Sequence, residues 1–177
     1  MPKVETIEKG EASDEVKAIF DEIEAAFGMV PNLFKTSAHF PPLLKANWEK
    51  VKGVMMQGAL SRKAKEAIAV IVSNDNSCDY CVAAHTAALK MLNVTEEEII
   101  FILNEEFDAA EISKKEAALI RLAREANINP NAIPGSIFND LKIEGASSGE
   151  IVEALGVMEI FTGFNKFLDA LEVSIDF

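Results

Sequence analysis

The chain has 177 residues, 49% hydrophobic and 26% charged, which is the usage of a folded domain and excludes a disordered or fibrous chain. Its 17 Lys and Arg stand against 29 Asp and Glu, a formal charge of −12 that repels phosphate backbones and anionic lipid, so neither nucleic acid nor a membrane surface is an expected partner. The longest uncharged apolar run, Ala67 to Val72, falls far short of the ~20 residues that span a bilayer. The opening M-P-K-V-E-T-I-E-K-G lacks the apolar centre of a signal peptide, so the expected compartment is the cytoplasm. There, two cysteines are a poor basis for a structural disulfide framework.

Apolar residues recur at helical spacing along the chain. Val16, Ile19, Phe20, Ile23 and Phe27 form a first stripe between a capping Ser13 and a terminating Gly28. Pro31 and the pair Pro41-Pro42 set off a short segment, Asn32 to Ala38, and a second stripe runs from Leu44 through Trp48, Val51 and Met55 to Gly58. Ser61 caps a third, with Glu66, Ala67, Ile68, Ile71 and Val72. Asp75, Asn76 and Ser77 are turn formers, which puts Cys78 at the mouth of a fourth helix running through Leu89. Thr95, Ser113 and Ser147 each precede a Glu by three residues, the spacing at which side chain and backbone cap each other reciprocally. The last of these opens a long helix with Ile151, Leu155, Met158, Phe161, Phe164, Leu168 and Leu171 on one side. No stretch alternates with period two, so the expected class is all-α.

The chain also resembles itself at an offset of 52. Ser61 falls on Ser113, Lys63 on Lys115, Ile68 on Ile120, Leu89-Lys90 on Leu141-Lys142, Glu98-Ile99 on Glu150-Ile151, and Leu103 on Leu155. The expectation is one domain over 1–177, built around two similar helical units at about 61–104 and 113–172. The second is chemically silent: Pro130, Ile133 and Ile137 stand where the first has Cys78, Cys81 and His85.

Both cysteines lie in S73-N-D-N-S-C-D-Y-C-V-A-A-H85. Free backbone N–H groups at a helix N-terminus stabilise a thiolate, and cysteines three apart share a face within reach of a disulfide. His85, four residues after Cys81, can take or return the thiol proton. A thiolate, a second thiol and a base are the parts of a cysteine redox cycle. Three other readings fit the same residues. The cysteines can be buried small hydrophobes; they can hold zinc, with His39, a carboxylate or water completing the ligands; or the segment can be a non-catalytic interaction module. Glu66 can orient His85 from the preceding helix or be a solvated side chain on a Lys/Arg-rich first turn. His39, Trp48 and the methionines read as structural or oligomer-facing.

Glu66 followed by Cys78-x-x-Cys81-x-x-x-His85 resembles the signature of the alkylhydroperoxidase D-like (AhpD-like) branch of the carboxymuconolactone decarboxylase superfamily. The stretches F27-G-M-V-P-N-L-F34, G149-E-I-V-E-A and F161-T-G-F-N165 extend the likeness to its peroxidase-related subgroup. The resemblance implies an all-helical fold, trimers or hexamers, no cofactor, and thiol-dependent reduction of hydroperoxides in antioxidant defence. The electrons would come from an unidentified thiol reductant such as a lipoylated or thioredoxin-like protein. It further implies Cys81 as peroxidatic thiol, Cys78 as resolving thiol and proton donor, and His85 with Glu66 as proton relay. The chain departs from the pattern at Tyr80, where well-studied members carry a further relay histidine. A tyrosine orients a peroxide or water but does not shuttle protons at neutral pH, which leaves a disulfide reductase with little peroxidase activity as the alternative.

Overall fold

The computed structural model describes every residue, Met1–Phe177, and contains nine helices and no strand. They are α1 (Asp14–Phe27), α2 (Asn32–Ser37), α3 (Pro41–Met55), α4 (Arg62–Asp75), α5 (Asp79–Met91), α6 (Glu96–Leu103), α7 (Lys114–Ile128), α8 (Gly135–Ile143) and α9 (Ser148–Leu171). The fold is all-α, as the periodicity predicts. No helix is long and apolar enough to cross a membrane.

The helix starts follow the capping chemistry. Ser13, Ser61, Thr95, Ser113 and Ser147 each accept a hydrogen bond from the backbone N–H three residues on, satisfying a donor the helix itself leaves open. The prolines set α2 off as a separate short helix: Pro31 precedes it as N-cap, and Pro41 and Pro42 form the first turn of α3, where a missing N–H costs nothing. One expectation is corrected. The reciprocal box closes at Thr95–Glu98 and Ser147–Glu150 but not at Ser113, because Glu116 aims Oε1 at the backbone N–H of Ser61, 3.0 Å away. That carboxylate therefore helps cap α4 from α7.

Helix α4 runs through the middle of the molecule. Every residue from Ala64 to Ser73 is buried, and α5, α6, α7 and α9 pack around it. A helix apolar on all sides can only be a core helix, so a polar side chain on it is stripped of water and needs a partner. Lys65 finds three, the carbonyl oxygens of Val54 and Gln57 and the Glu153 carboxylate at 2.7 Å. Glu153 in turn accepts the backbone N–H groups of Ala59 at 2.8 Å and Leu60 at 3.2 Å, which ties the α3–α4 loop to α9. Gly58 sits in this loop at φ +103°, where an added Cβ would collide with the Glu153 carboxylate. Gly58→Ala should cost about 1–3 kcal/mol from backbone strain alone, lowering the melting temperature by at least ~2 °C in a thermal scan.

Several structural features recur along the chain at the offset of 52. Helices α4 and α7 begin at Arg62 and Lys114, and α6 and α9 at Glu96 and Ser148. The turns before the latter pair carry Asn93 at φ +62° and Gly145 at φ +69°. Lys63 pairs with Glu98 at 3.0 Å, and Lys115 with Glu150 at 2.5 Å. The correspondence fails between α5 and α8. Helix α8 starts at Gly135, four residues later than the offset predicts, because Pro130 and Pro134 interrupt the approach.

Candidate active site

The site lies where α4, α5 and α9 meet. Cys78 is the N-cap of α5, with φ −91° and ψ 95°, and its N–H donates to the Ser73 carbonyl at 2.9 Å. The tight turn that delivers it passes through Ser77 at φ +59°. Both cysteines are free thiols and both are buried, Cys78 at 0% and Cys81 at 3% exposure. One turn into the helix, Cys81 stands beside Cys78, and each thiol is the strongest influence on the other's proton affinity.

That geometry divides the pair electrostatically. The hydrogen bond from the Cys81 thiol brings Cys78 below the usual thiol range, outweighing burial and the neighbouring Asp169 carboxylate, which act the other way. Cys81 is pushed far up, because its proton is committed to Cys78 and burial adds to the effect; hydrogen bonds from Asn165 and Ser73 oppose the rise. Cys78 is therefore the more acidic of the two, and the titration belongs to the pair as a whole.

His85 stands one turn beyond Cys81, buried, with its ring edge-on to Phe161 of α9 at a centroid distance of 4.2 Å. Its Nδ1 lies 2.6 Å from Glu66 Oε2. Glu66 is 1% exposed, so the solvated alternative is excluded. Burial pushes its carboxyl up, but the charge and hydrogen bond of His85 and those of Arg62, whose Nε donates to Oε1 at 2.7 Å, together hold it below the ordinary value of 4.5. The sign follows: a depressed carboxyl stabilises the fold above pH 4.5 and loses that contribution as the pH falls through the folded-state value. With Glu66 ionised it can only accept, so Nδ1 carries the hydrogen and Nε2 is left as the basic nitrogen.

Tyr80, which stands where the family pattern has a further relay histidine, is buried, and its hydroxyl oxygen accepts the Leu33 N–H at 3.2 Å and so ties α2 to α5. The ring packs edge-on against Phe177, and burial holds the phenol protonated well above its usual range. His39 is remote in role as well: its Nε2 meets the Glu5 carbonyl at 2.8 Å, and nowhere do three His, Cys, Asp or Glu side chains converge in a way that could hold a metal ion.

Three residues of the site escape the sequence reading. Arg62 precedes Glu66 by one turn, a pairing visible only as an i,i+4 coincidence. Ser73 and Asn165 are fully buried, Asn165 Nδ2 donating to Ser73 Oγ at 3.0 Å, and Asn76 donates in turn to Asn165 Oδ1 at 2.9 Å. The available signal was Asn165 itself, a lone amide on an otherwise apolar face. A cavity of about 480 Å³ lined by Glu105, Phe107, Lys114, Arg121, Asp140 and Ile143 includes neither cysteine, and the dithiol chemistry outweighs its size.

Residues 41–125, which contain Glu66, Cys78, Cys81 and His85, match the model of the carboxymuconolactone decarboxylase family. The alkylhydroperoxidase AhpD core of Rhodospirillum rubrum is 37% identical over 64% of this chain and 93% of its own, with a TM-score of 0.54. The chain belongs to the AhpD-like branch of that family. An uncharacterised peroxidase-related protein of Ralstonia eutropha shares the fold across 99% of this chain and 92% of its own (TM-score 0.86, 22% identity). The debrominase Bmp8, in complex with 2,3,4-tribromopyrrole, shares it across 98% and 91% (TM-score 0.83, 20% identity). An alkyl hydroperoxide reductase of Mycobacterium tuberculosis is 28% identical over 93 residues, 52% of this chain but only 27% of that protein's length. One fold therefore carries more than one chemistry, and the reaction has to be argued from the residues.

Proposed function

We propose that this protein reduces hydroperoxides with its own dithiol. The observation that carries the reading is a buried pair of neighbouring thiols at the N-terminus of α5, one turn from an imidazole held by an ionised carboxylate. Transfer of the Cys81 proton to a Cys78 thiolate makes Cys81 the thiolate, whose charge Asn165 and Ser73 favour. Its sulfur attacks the terminal peroxide oxygen; the O–O bond breaks, and the departing alkoxide takes a proton by way of His85. Cys81 is now a sulfenic acid. Cys78 attacks it, water leaves, and the Cys78–Cys81 disulfide forms. A thiol reductant, a lipoylated or thioredoxin-like protein, returns two electrons and two protons. Assembly into trimers or hexamers is part of the same reading. Exposed apolar side chains at matching positions, Met91 with Ile143 and Ile100 with Val152, supply surface for it.

The test is stopped-flow mixing of the reduced protein with one equivalent of cumene hydroperoxide. Peroxide should disappear in step with both thiols, and mass spectrometry should find an intramolecular Cys78–Cys81 disulfide. Recovery of both thiols free would overturn the proposal. A second reading, disulfide reduction, is favoured by the lowered proton affinity of Cys78, which makes it the readier nucleophile of the two toward a disulfide. It predicts rapid reduction of insulin disulfides with negligible peroxide turnover.

A further inference from the structure

The Glu66–His85 pair is not closed: a third group holds the far side of the carboxylate. Arg62 lies one turn before Glu66 on α4, with Nε 2.7 Å from Oε1, while Oε2 faces His85 Nδ1 at 2.6 Å. The two oxygens of one buried carboxylate are thus each assigned to a different partner. The guanidinium is itself anchored, its Nη1 donating to the Met55 carbonyl at the end of α3. At 38% exposure its outer edge lines a cavity of about 340 Å³ with Met55, Met56, Gln57, Gly58, Leu60 and Lys65.

We propose that Arg62 is a positioning residue of the proton relay, holding Glu66 ionised and oriented so that His85 presents a free Nε2 to the dithiol. This rests on the reading of Glu66 and His85 as a relay and extends it to a third member.

The physical argument concerns the charge of the group as a whole. With neutral His85, Arg62 and Glu66 sum to zero, and taking up the thiol proton brings the group to +1. Without Arg62 the buried pair is an isolated anion in the core and binds a proton at higher pH, whether the proton rests on the carboxyl or on the imidazole. Either site disables the relay. A proton on Glu66 makes it a donor, and one on Nε2 removes the base.

The other charges around α4 are committed elsewhere. Lys63 pairs with Glu98 of α6, Lys65 with Glu153 of α9, and Asp75 with Arg124 of α7, while Glu116 of α7 caps Ser61. Helix α3 contributes the Met55 carbonyl and no charge. From α5 come His85 and the two thiols; Arg62 is the standing charge that acts on Glu66, joined by His85 only when the imidazole has taken up a proton.

The experiment uses the whole protein with its dithiol reduced. Imidazole resonances are followed by NMR against pH in wild type, Arg62→Gln and Arg62→Lys, and iodoacetamide alkylation rates are measured across the same range. The chain has only two histidines, so His39 serves as an internal control against general perturbation. In Arg62→Gln, proton uptake by the pair should move up by about one pH unit, with the acid limb of alkylation following; the partial exposure of Arg62 argues for the low end of such shifts. Arg62→Lys should recover most of the shift, and Arg62→Gln made on Glu66→Gln should add none. If Arg62→Gln does not fold, the Lys variant decides, since a charge that cannot reproduce the planar bond should still give a smaller shift of the same sign. Unchanged His85 resonances and superimposable alkylation profiles overturn the proposal. Peroxide turnover enters neither readout, so a wild type that alkylates normally but consumes no peroxide would count against the proposed function and leave the Arg62 assignment standing.

Discussion

Cys78→Ser should consume one equivalent of hydroperoxide and stop, whereas Cys81→Ser should consume none. In the first variant the attacking sulfur is present and its resolving partner is not, so a sulfenic acid accumulates on Cys81 and is trapped by dimedone. In the second, the remaining thiol lies beside Asp169 without the hydrogen bond from Cys81 that lowers it. The expected loss is complete for multiple turnover in both variants and for the first turnover only in Cys81→Ser. Because Cys78 is the more acidic thiol, the outcome is a demanding one for the assignment. A dimedone adduct on Cys78 in Cys81→Ser, with no adduct in the converse variant, would reverse the roles of the two thiols and favour the disulfide-exchange reading.

His85→Ala should slow peroxide reduction by about a hundredfold at pH 7, the usual scale for removing a positioned acid–base group. The deficit should narrow as the pH rises to 9, because hydroxide then removes thiol protons that the imidazole would have carried. Glu66→Gln should show the same pattern more mildly: the amide keeps the imidazole in place but removes the negative charge that favours its protonated form. The measurement is the second-order rate constant with cumene hydroperoxide from pH 6 to 9 for all three proteins. Parallel curves, equally displaced at every pH, would mean that His85 and Glu66 support the site only by packing.

The local parts of this structure were legible because their causes are local. Ser13, Ser61, Thr95 and Ser147 cap helices through bonds three residues long, and Gly28 ends α1 in the left-handed conformation that glycine accepts readily. Cys78, Cys81 and His85 follow one another at helical spacing, so their shared neighbourhood could be read from the sequence. Glu66 was legible through the family signature and not through spacing: a first turn crowded with Arg62, Lys63 and Lys65 reads as solvated, and the burial of α4 on all sides makes Glu66 a core carboxylate. The placement of Tyr80 was hidden for a different reason. Its hydroxyl is met by the backbone of Leu33, 47 residues away, a contact without any signature in side-chain spacing. Glu116 shows the limit of a motif, since it has the box spacing but turns half its carboxylate to another helix.

The burial of both sulfurs also sets a ceiling on speed. At 0% and 3% exposure, with Phe161 and the His85 ring packed edge-on nearby, the resting thiols are closed to anything as large as an organic peroxide. A substrate can meet them only during excursions in which part of that packing opens, and such openings have their own frequency. At high peroxide concentration the rate then belongs to the protein's breathing and not to the O–O bond. Small and bulky hydroperoxides, however different in intrinsic reactivity, should converge on one saturating rate, and a substitution that loosens α9 above the dithiol should raise it.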